Sequence, residues 1–76
     1  MKINEFNRLP FREQLRKVLD GKYLTSRIDK GLIINIYHVF DFLVEESYDY
    51  RRNKVIALKS YLLDKFLYHS KLYDMA

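Results

Sequence analysis

An α+β fold, with an N-terminal helix, an antiparallel β-meander of three to four strands and a C-terminal helix, is predicted by three features of the sequence. The stretch from Gly31 to Tyr61 concentrates β-branched and aromatic residues around two turn-like breaks, the composition of adjacent strands. Phe11, Leu15, Val18 and Leu19 fall on one helical stripe before it, and Leu62, Leu63, Phe66, Leu67 and Tyr73 keep helical spacing after it. Runs of strands and helices segregated in this way give α+β architectures, and the 76 residues fill a single domain, 1–76.

Residues 3–8, INEFNR, read as a short helical turn, and Leu9-Pro10 as a fresh start, because proline loses nothing at the first position of a helix. The main helix then runs from about residue 10 to residue 20, and Gly21 is expected to supply the left-handed residue that stops it. Arg8, Arg12 and Arg16 line the outward side, and Lys17 is placed to pair with Glu13 one turn earlier. These four cations form the candidate polyanion-binding stripe.

Residues 22–28 alternate Tyr23, Thr25 and Arg27 with Leu24, Ser26 and Ile28, the two-residue period of a strand with mixed faces, which places it at a sheet edge. Asp29-Lys30-Gly31 turns the chain into the meander. Ile33, Ile34, Ile36, Tyr37, Val39 and Phe40 form the next strand, and a two-residue hairpin at Phe40-Asp41 follows, Asp41 being the residue more tolerant of a left-handed backbone. That turn sets Val39 opposite Phe42, Tyr37 opposite Val44, Asn35 opposite Glu46 and Ile33 opposite Tyr48, all on the face expected to be the core. A second turn spans Asp49 to Asn53, with Asn53 suited to positive φ before Val55-Ile56-Ala57-Leu58 runs back. The register there is open to a one-residue slip, which would exchange core and solvent faces. Val55, Leu58, Leu62, Phe66, His69 and Tyr73 also recur in steps of three and four, so one helix over residues 54–75 competes with strand plus helix.

In order, EFNRLP, a helix ending in glycine, KYLTSR, INIY-V, F-VEE-YD, N-V-AL-SY and LLDKFL resemble a group of small bacterial helix, meander, helix proteins of unassigned function. Similar members have an acidic first helix and Asp-Gly at the first hairpin, where this chain has a basic helix and Phe40-Asp41. The resemblance covers nearly the whole chain and implies the fold. It implies no activity and no site residue, and with the altered charge it implies no shared partner.

Composition narrows the function classes. With no cysteine, disulfides, thiolate nucleophiles and cysteine-ligated zinc are excluded. Met1 to Glu5 lack the apolar run of a signal peptide, and Leu32-Ile33-Ile34 is far too short to span a bilayer, so a cytoplasmic protein without membrane contact is expected. Net charge is +4, with eight Lys or Arg against four acids in residues 1–31 and six against six in residues 32–76. That modest excess is within the range of an ordinary solubility device.

No pattern assembles a reaction centre, so no enzyme and no cofactor are expected. Glu45 and Glu46 are neighbours on a strand and point to opposite faces, so they cannot flank one bond as an acid and base pair. Glu46, turned inward near Asn35 and Tyr37, would be a buried polar group needing partners. His38 and His69 have no acid at ligand spacing. Ser26, Ser47, Ser60 and Ser70 lie in no glycine-flanked elbow, and two glycines cannot build a phosphate cradle.

At 49% hydrophobic and 16% aromatic, the chain has apolar surface to spare for partners. Seven tyrosines join an apolar body to a polar tip, which suits interfaces. Tyr48, Tyr50, Arg51 and Arg52 at the second turn are the candidate interface, and the same group could stack on bases. The expected function is a non-catalytic protein-interaction module, binding itself as a homodimer or another protein. The alternative is a small nucleic-acid-binding or regulatory protein using the basic helix.

Overall fold

The computed structural model describes residues 1–63. Two short helices, α1 (Ile3–Arg8) and α2 (Phe11–Leu19), precede four strands, β1 (Lys22–Asp29), β2 (Leu32–Val39), β3 (Phe42–Asp49) and β4 (Lys54–Leu62). The strands form one antiparallel sheet in the order β1-β2-β3-β4. The strand count is therefore four, and one helix over residues 54–75 is excluded because 54–62 are strand. The expected C-terminal helix lies outside the described residues.

The β2/β3 register is the one the apolar alternation predicts, with Val39 opposite Phe42, Tyr37 opposite Val44, Asn35 opposite Glu46 and Ile33 opposite Tyr48. The helices cover this face at its Val39/Phe42 end. Phe6, Val18, Val39, Phe42 and Val44 are buried there, with Ile3, Leu9, Tyr37 and Leu58 packed around them. Phe6 of α1 is 1% exposed, and its ring centroid lies 5.2 Å from that of Phe42. Gln14 Nε2 donates to the Phe6 carbonyl at 3.0 Å, and Ser60 Oγ donates to Asn7 Oδ1 at 2.5 Å. These contacts tie α2 to α1 and α1 to β4.

The apolar stripe of α2 is narrower than the spacing predicts. Val18 is buried, but Phe11 and Leu19 are 45% and 60% exposed. The helix is only nine residues long, and its seat on the sheet is set by Val18, one turn from Gln14, rather than by the centre of the stripe. Pro10 stands just before the helix, where its carbonyl accepts from the Gln14 amide at 3.0 Å.

The opposite face holds a second cluster, Ile34, Ile36 and Leu43, with Leu32 and Tyr61 against it. Arg27 Nη2 reaches Glu45 Oε2 at 3.1 Å, and Tyr61 OH donates to Glu45 Oε1 at 3.2 Å. Tyr61 packs against the cluster, and the polar tips of Arg27 and Tyr61 meet at Glu45.

The turns explain the hairpins. Lys30 and Gly31 have φ of 52° and 80°, the pair of positive values a two-residue turn uses to match strand twist. In the second hairpin Phe40, not Asp41, takes the positive φ, at 54°. The paired alternation on β2 and β3 fixes which residues occupy the loop, so Phe40 adopts a backbone that disfavours a bulky side chain. Its ring, 52% exposed, lies 6.1 Å from Phe42. In the third turn Asn53 has φ 53°, as expected, and Asp49 Oδ1 accepts from the Arg51 and Arg52 amides at 3.1 and 3.2 Å.

Gly21 does not adopt the expected left-handed conformation; Gly31 is the glycine with positive φ. It is required for close approach instead. A Cβ on Gly21 would lie 2.7 Å from the His38 carbonyl oxygen and 3.0 Å from Val39 Cγ2, at the point where the chain leaves α2 and crosses onto the sheet.

Gly21→Ala is therefore expected to destabilise the fold by about 1–3 kcal/mol in urea unfolding, as overpacking does. Phe40→Gly is expected to stabilise it by about 1 kcal/mol through relief of the left-handed backbone. A loss of stability in the second variant would show that the contact with Phe42 outweighs the strain.

Candidate functional site

The helices pack on β2 and β4, which leaves β1 at the margin. Among the described residues no strand pairs with its outer side. Its surface is apolar for an edge: Ile28 is 79% exposed, Tyr23 52% and Leu24 45%. The sequence places Lys22–Ile28 at an edge, and the structure agrees. The other edge, β4, carries Lys54 and Lys59, is interrupted by a bulge at Ile56, and has α1 fastened to it through Ser60.

A bulge also shapes β1. Tyr23 pairs with Tyr37 and Thr25 with Ile36, so Leu24 is an extra residue without a partner on β2. The insertion reverses the alternation that follows. Tyr23 and Ser26, three apart, come to lie side by side on the helix-covered face, where a regular strand would put them on opposite faces.

A chain of hydrogen bonds runs inward from there. Ser26 Oγ donates to Asn35 Oδ1 at 2.6 Å, and Asn35 Nδ2 donates to Glu46 Oε1 at 2.9 Å. Because the Ser26 proton is engaged with Asn35, Tyr23 OH is the donor to Ser26 Oγ, at 2.5 Å. Three side chains from two strands thus point their donors the same way, toward Glu46 on a third strand. As predicted, Glu46 is turned inward; it is 5% exposed and has Asn35 as its partner. A carboxylate in such a place is tolerated because the Asn35 amide meets one oxygen and, among the described residues, every fully buried polar side-chain atom has a partner.

Tyr37 lies beside this chain, its ring 5.7 Å from Tyr23 and near edge-on at 71°. Burial raises its pKa above the usual tyrosine value, and the negative charge of Glu46 and the neighbouring Tyr23 raise it further.

The predicted site residues fall in two separate places. Arg8 ends α1, and Arg12 and Arg16 stand exposed on α2 with Lys17 half-buried. Glu13 pairs with Arg16 at 3.7 Å, not with Lys17, since the three-residue step brings the longer guanidinium arm over the carboxylate. The stripe therefore has an acid within it. Tyr48, Tyr50, Arg51 and Arg52 sit at the far end of β3, away from the helices. Tyr48 OH donates to Asn53 Oδ1, and Arg52 Nε lies 3.6 Å from Asp49 Oδ2. Tyr50 and Arg51 face solvent, the guanidinium 6.0 Å from the ring centroid.

Among the described residues no three His, Asp or Glu side chains gather as a metal site. His38 sits opposite Leu43 on β2, and His69 lies outside the described residues. No described helix is long and apolar enough to cross a membrane. The edge surface of β1 and its link to Glu46 were not singled out by sequence reasoning. The signal that could have found them is the reversed alternation around Leu24. Compared with protein-family models, with curated proteins and with solved structures, the chain matches none.

Tyr37 is expected to ionise above the ordinary tyrosine range. A raised folded-state pKa means that the unfolded chain gives up this proton first, so stability is fully present below the ordinary tyrosine pKa and falls as pH rises through it. Glu46→Gln should move the ionisation of Tyr37 down without bringing it fully to the ordinary value, because burial is the larger cause. Ultraviolet phenolate titration of both proteins, with Tyr37→Phe to assign the signal, checks this.

Proposed function

We propose that this chain is a non-catalytic protein-interaction module that associates through the outer edge of β1. The observation that supports this best is the combination, on β1, of an outer side with which no described strand pairs and exposed Ile28, Tyr23 and Leu24. An edge strand offers main-chain partners to a second strand, and flanking apolar side chains add affinity. Natural edges are usually blunted by charge or by a covering element. Both edges carry charged residues and a bulge, but β4 has α1 fastened to it through Ser60, and β1 has the more exposed apolar side chain in Ile28.

The non-catalytic character is supported by what the polar groups do. Glu46, the most buried carboxylate of the described residues, is held by an amide rather than by an acid, base or nucleophile. Glu45 is engaged by Arg27 and Tyr61 on the opposite face. The basic stripe supports a nucleic-acid function less well, since Glu13 is paired within it and nucleic-acid modules carry a stronger basic footprint.

Sedimentation from low to high micromolar concentration, together with capture from lysate, is the test. Wild-type protein is expected to associate with itself or a partner, and Ile28→Lys to lose that association while its circular dichroism stays native. Arg12→Glu with Arg16→Glu should leave association unchanged. Absence of any association that depends on Ile28 would overturn the proposal.

A further inference from the structure

We infer that the occupant of the β1 edge is a second copy of the same chain, paired antiparallel about a two-fold axis at Ser26, so that two four-stranded sheets become one. This rests on the assignment of β1 as the interacting edge, and adds the partner and the register.

The pattern of β1 selects the register. Tyr23, Ser26 and Ile28 lie on the helix-covered face, and Lys22, Thr25, Arg27 and Asp29 on the other, with Leu24 outside the alternation. Residues directly opposite in an antiparallel pair share a face. A two-fold pairing of this strand with itself can therefore slide only in steps of two.

Centred on Ser26, Lys22 stands opposite Asp29 of the second copy, Tyr23 opposite Ile28, Thr25 opposite Arg27, and Ser26 opposite Ser26. The only pair of two charged residues is of opposite sign, it occurs twice by symmetry, and Ile28, the most exposed large aliphatic residue among those described, meets an aromatic ring. Slipping the pair one step toward the N-terminus sets Arg27 opposite Lys22. Slipping it the other way sets Arg27 on the axis, opposite itself. Both neighbouring registers thus juxtapose like charges, which is destabilising. The strand is self-complementary in one alignment, as an isologous interface requires.

The same alignment has a consequence within each sheet. The hydrogen-bond chain from Tyr23 through Ser26 and Asn35 to Glu46 reaches the edge at Ser26. A two-fold axis there brings the outer ends of two such chains together, so a polar row crosses the whole double sheet at one level. The bulge at Leu24 makes this possible by bringing Tyr23 onto the face of Ser26 and Ile28. In a regular strand Tyr23 would point away from the row and from Ile28 of the second copy.

The test exchanges the charges. Lys22→Asp and Asp29→Lys each place two like-charge pairs across the axis and should each raise the dimer dissociation constant about tenfold or more in sedimentation velocity. An equimolar mixture of the two variants should recover wild-type affinity as a heterodimer, since both cross-axis pairs are then of opposite sign. Recovery on mixing also shows that each variant is folded. A second readout uses the absence of cysteine. Ser26→Cys should form a disulfide-linked dimer on mild oxidation, because directly opposed, hydrogen-bonded residues have Cα atoms about 5.5 Å apart, within disulfide range, whereas Ile56→Cys on the other edge should not. A wild-type protein that stays monomeric at high micromolar concentration while capturing a different protein through Ile28 would overturn the second copy as occupant and leave the β1 edge as the interaction site. A dimer indifferent to the charge variants, with no Ser26→Cys cross-link, would overturn the register. Loss of every Ile28-dependent association would overturn both.

Discussion

The packing of Phe6 on Phe42 is the contact on which the rest of the arrangement depends. Helices of six and nine residues are too short to persist alone in water, so both are held by what they bury. Phe6 provides that for α1, and its carbonyl anchors Gln14 of α2. Because Phe42 opens β3, the helices are seated at one end of the sheet, over β2 and β4. The opposite end and the margin at β1 are left outside their reach. The exposure of Ile28 is thus a consequence of where Phe6 finds its partner.

The polar residues of the helix-covered face follow the same geometry. Near Phe42 the face is apolar and buried. Farther along β3 it carries Glu46, Asn35 and Ser26 in a row, each satisfying the next. A satisfied row of this kind rigidifies the strands it joins, and here it joins the central strands to the edge. The raised pKa of Tyr37, due first to burial, also reflects the charge of Glu46 at the inner end of that row.

Much of this was legible in the sequence, and the parts that were not share a cause. The β2/β3 register could be read because a two-residue loop and clean alternation on both strands leave one solution. The β4 register could not, because the bulge at Ile56 breaks the two-residue period. That bulge also imitates a helix. Val55, Leu58 and Leu62 share a face, and the extra residue makes the first step three while the second is a plain four, which is the helical period. Leu24 hides the alignment of Tyr23 with Ser26 in the same way. Phe6 carries no periodic signal, since α1 buries a single residue, and the role of Gly21 depends on the His38 carbonyl of a strand far along the chain. The apolar β1 edge was missed for a related reason: the arginines of α2 and the arginines and tyrosines of the β3/β4 turn are more conspicuous, and several of them are engaged locally, Arg16 by Glu13, Arg52 by Asp49 and Tyr48 by Asn53.

Amide hydrogen exchange, followed residue by residue at increasing protein concentration, tests the central claim most directly. In dilute solution the β1 amides that point away from β2 should exchange rapidly while those bonded to β2 are protected. As concentration rises, the outward amides should become protected from Tyr23 to Ile28, with no change at β4. Protection of those amides already present at the lowest concentration, or concentration-dependent protection at β4 in their place, would contradict the account.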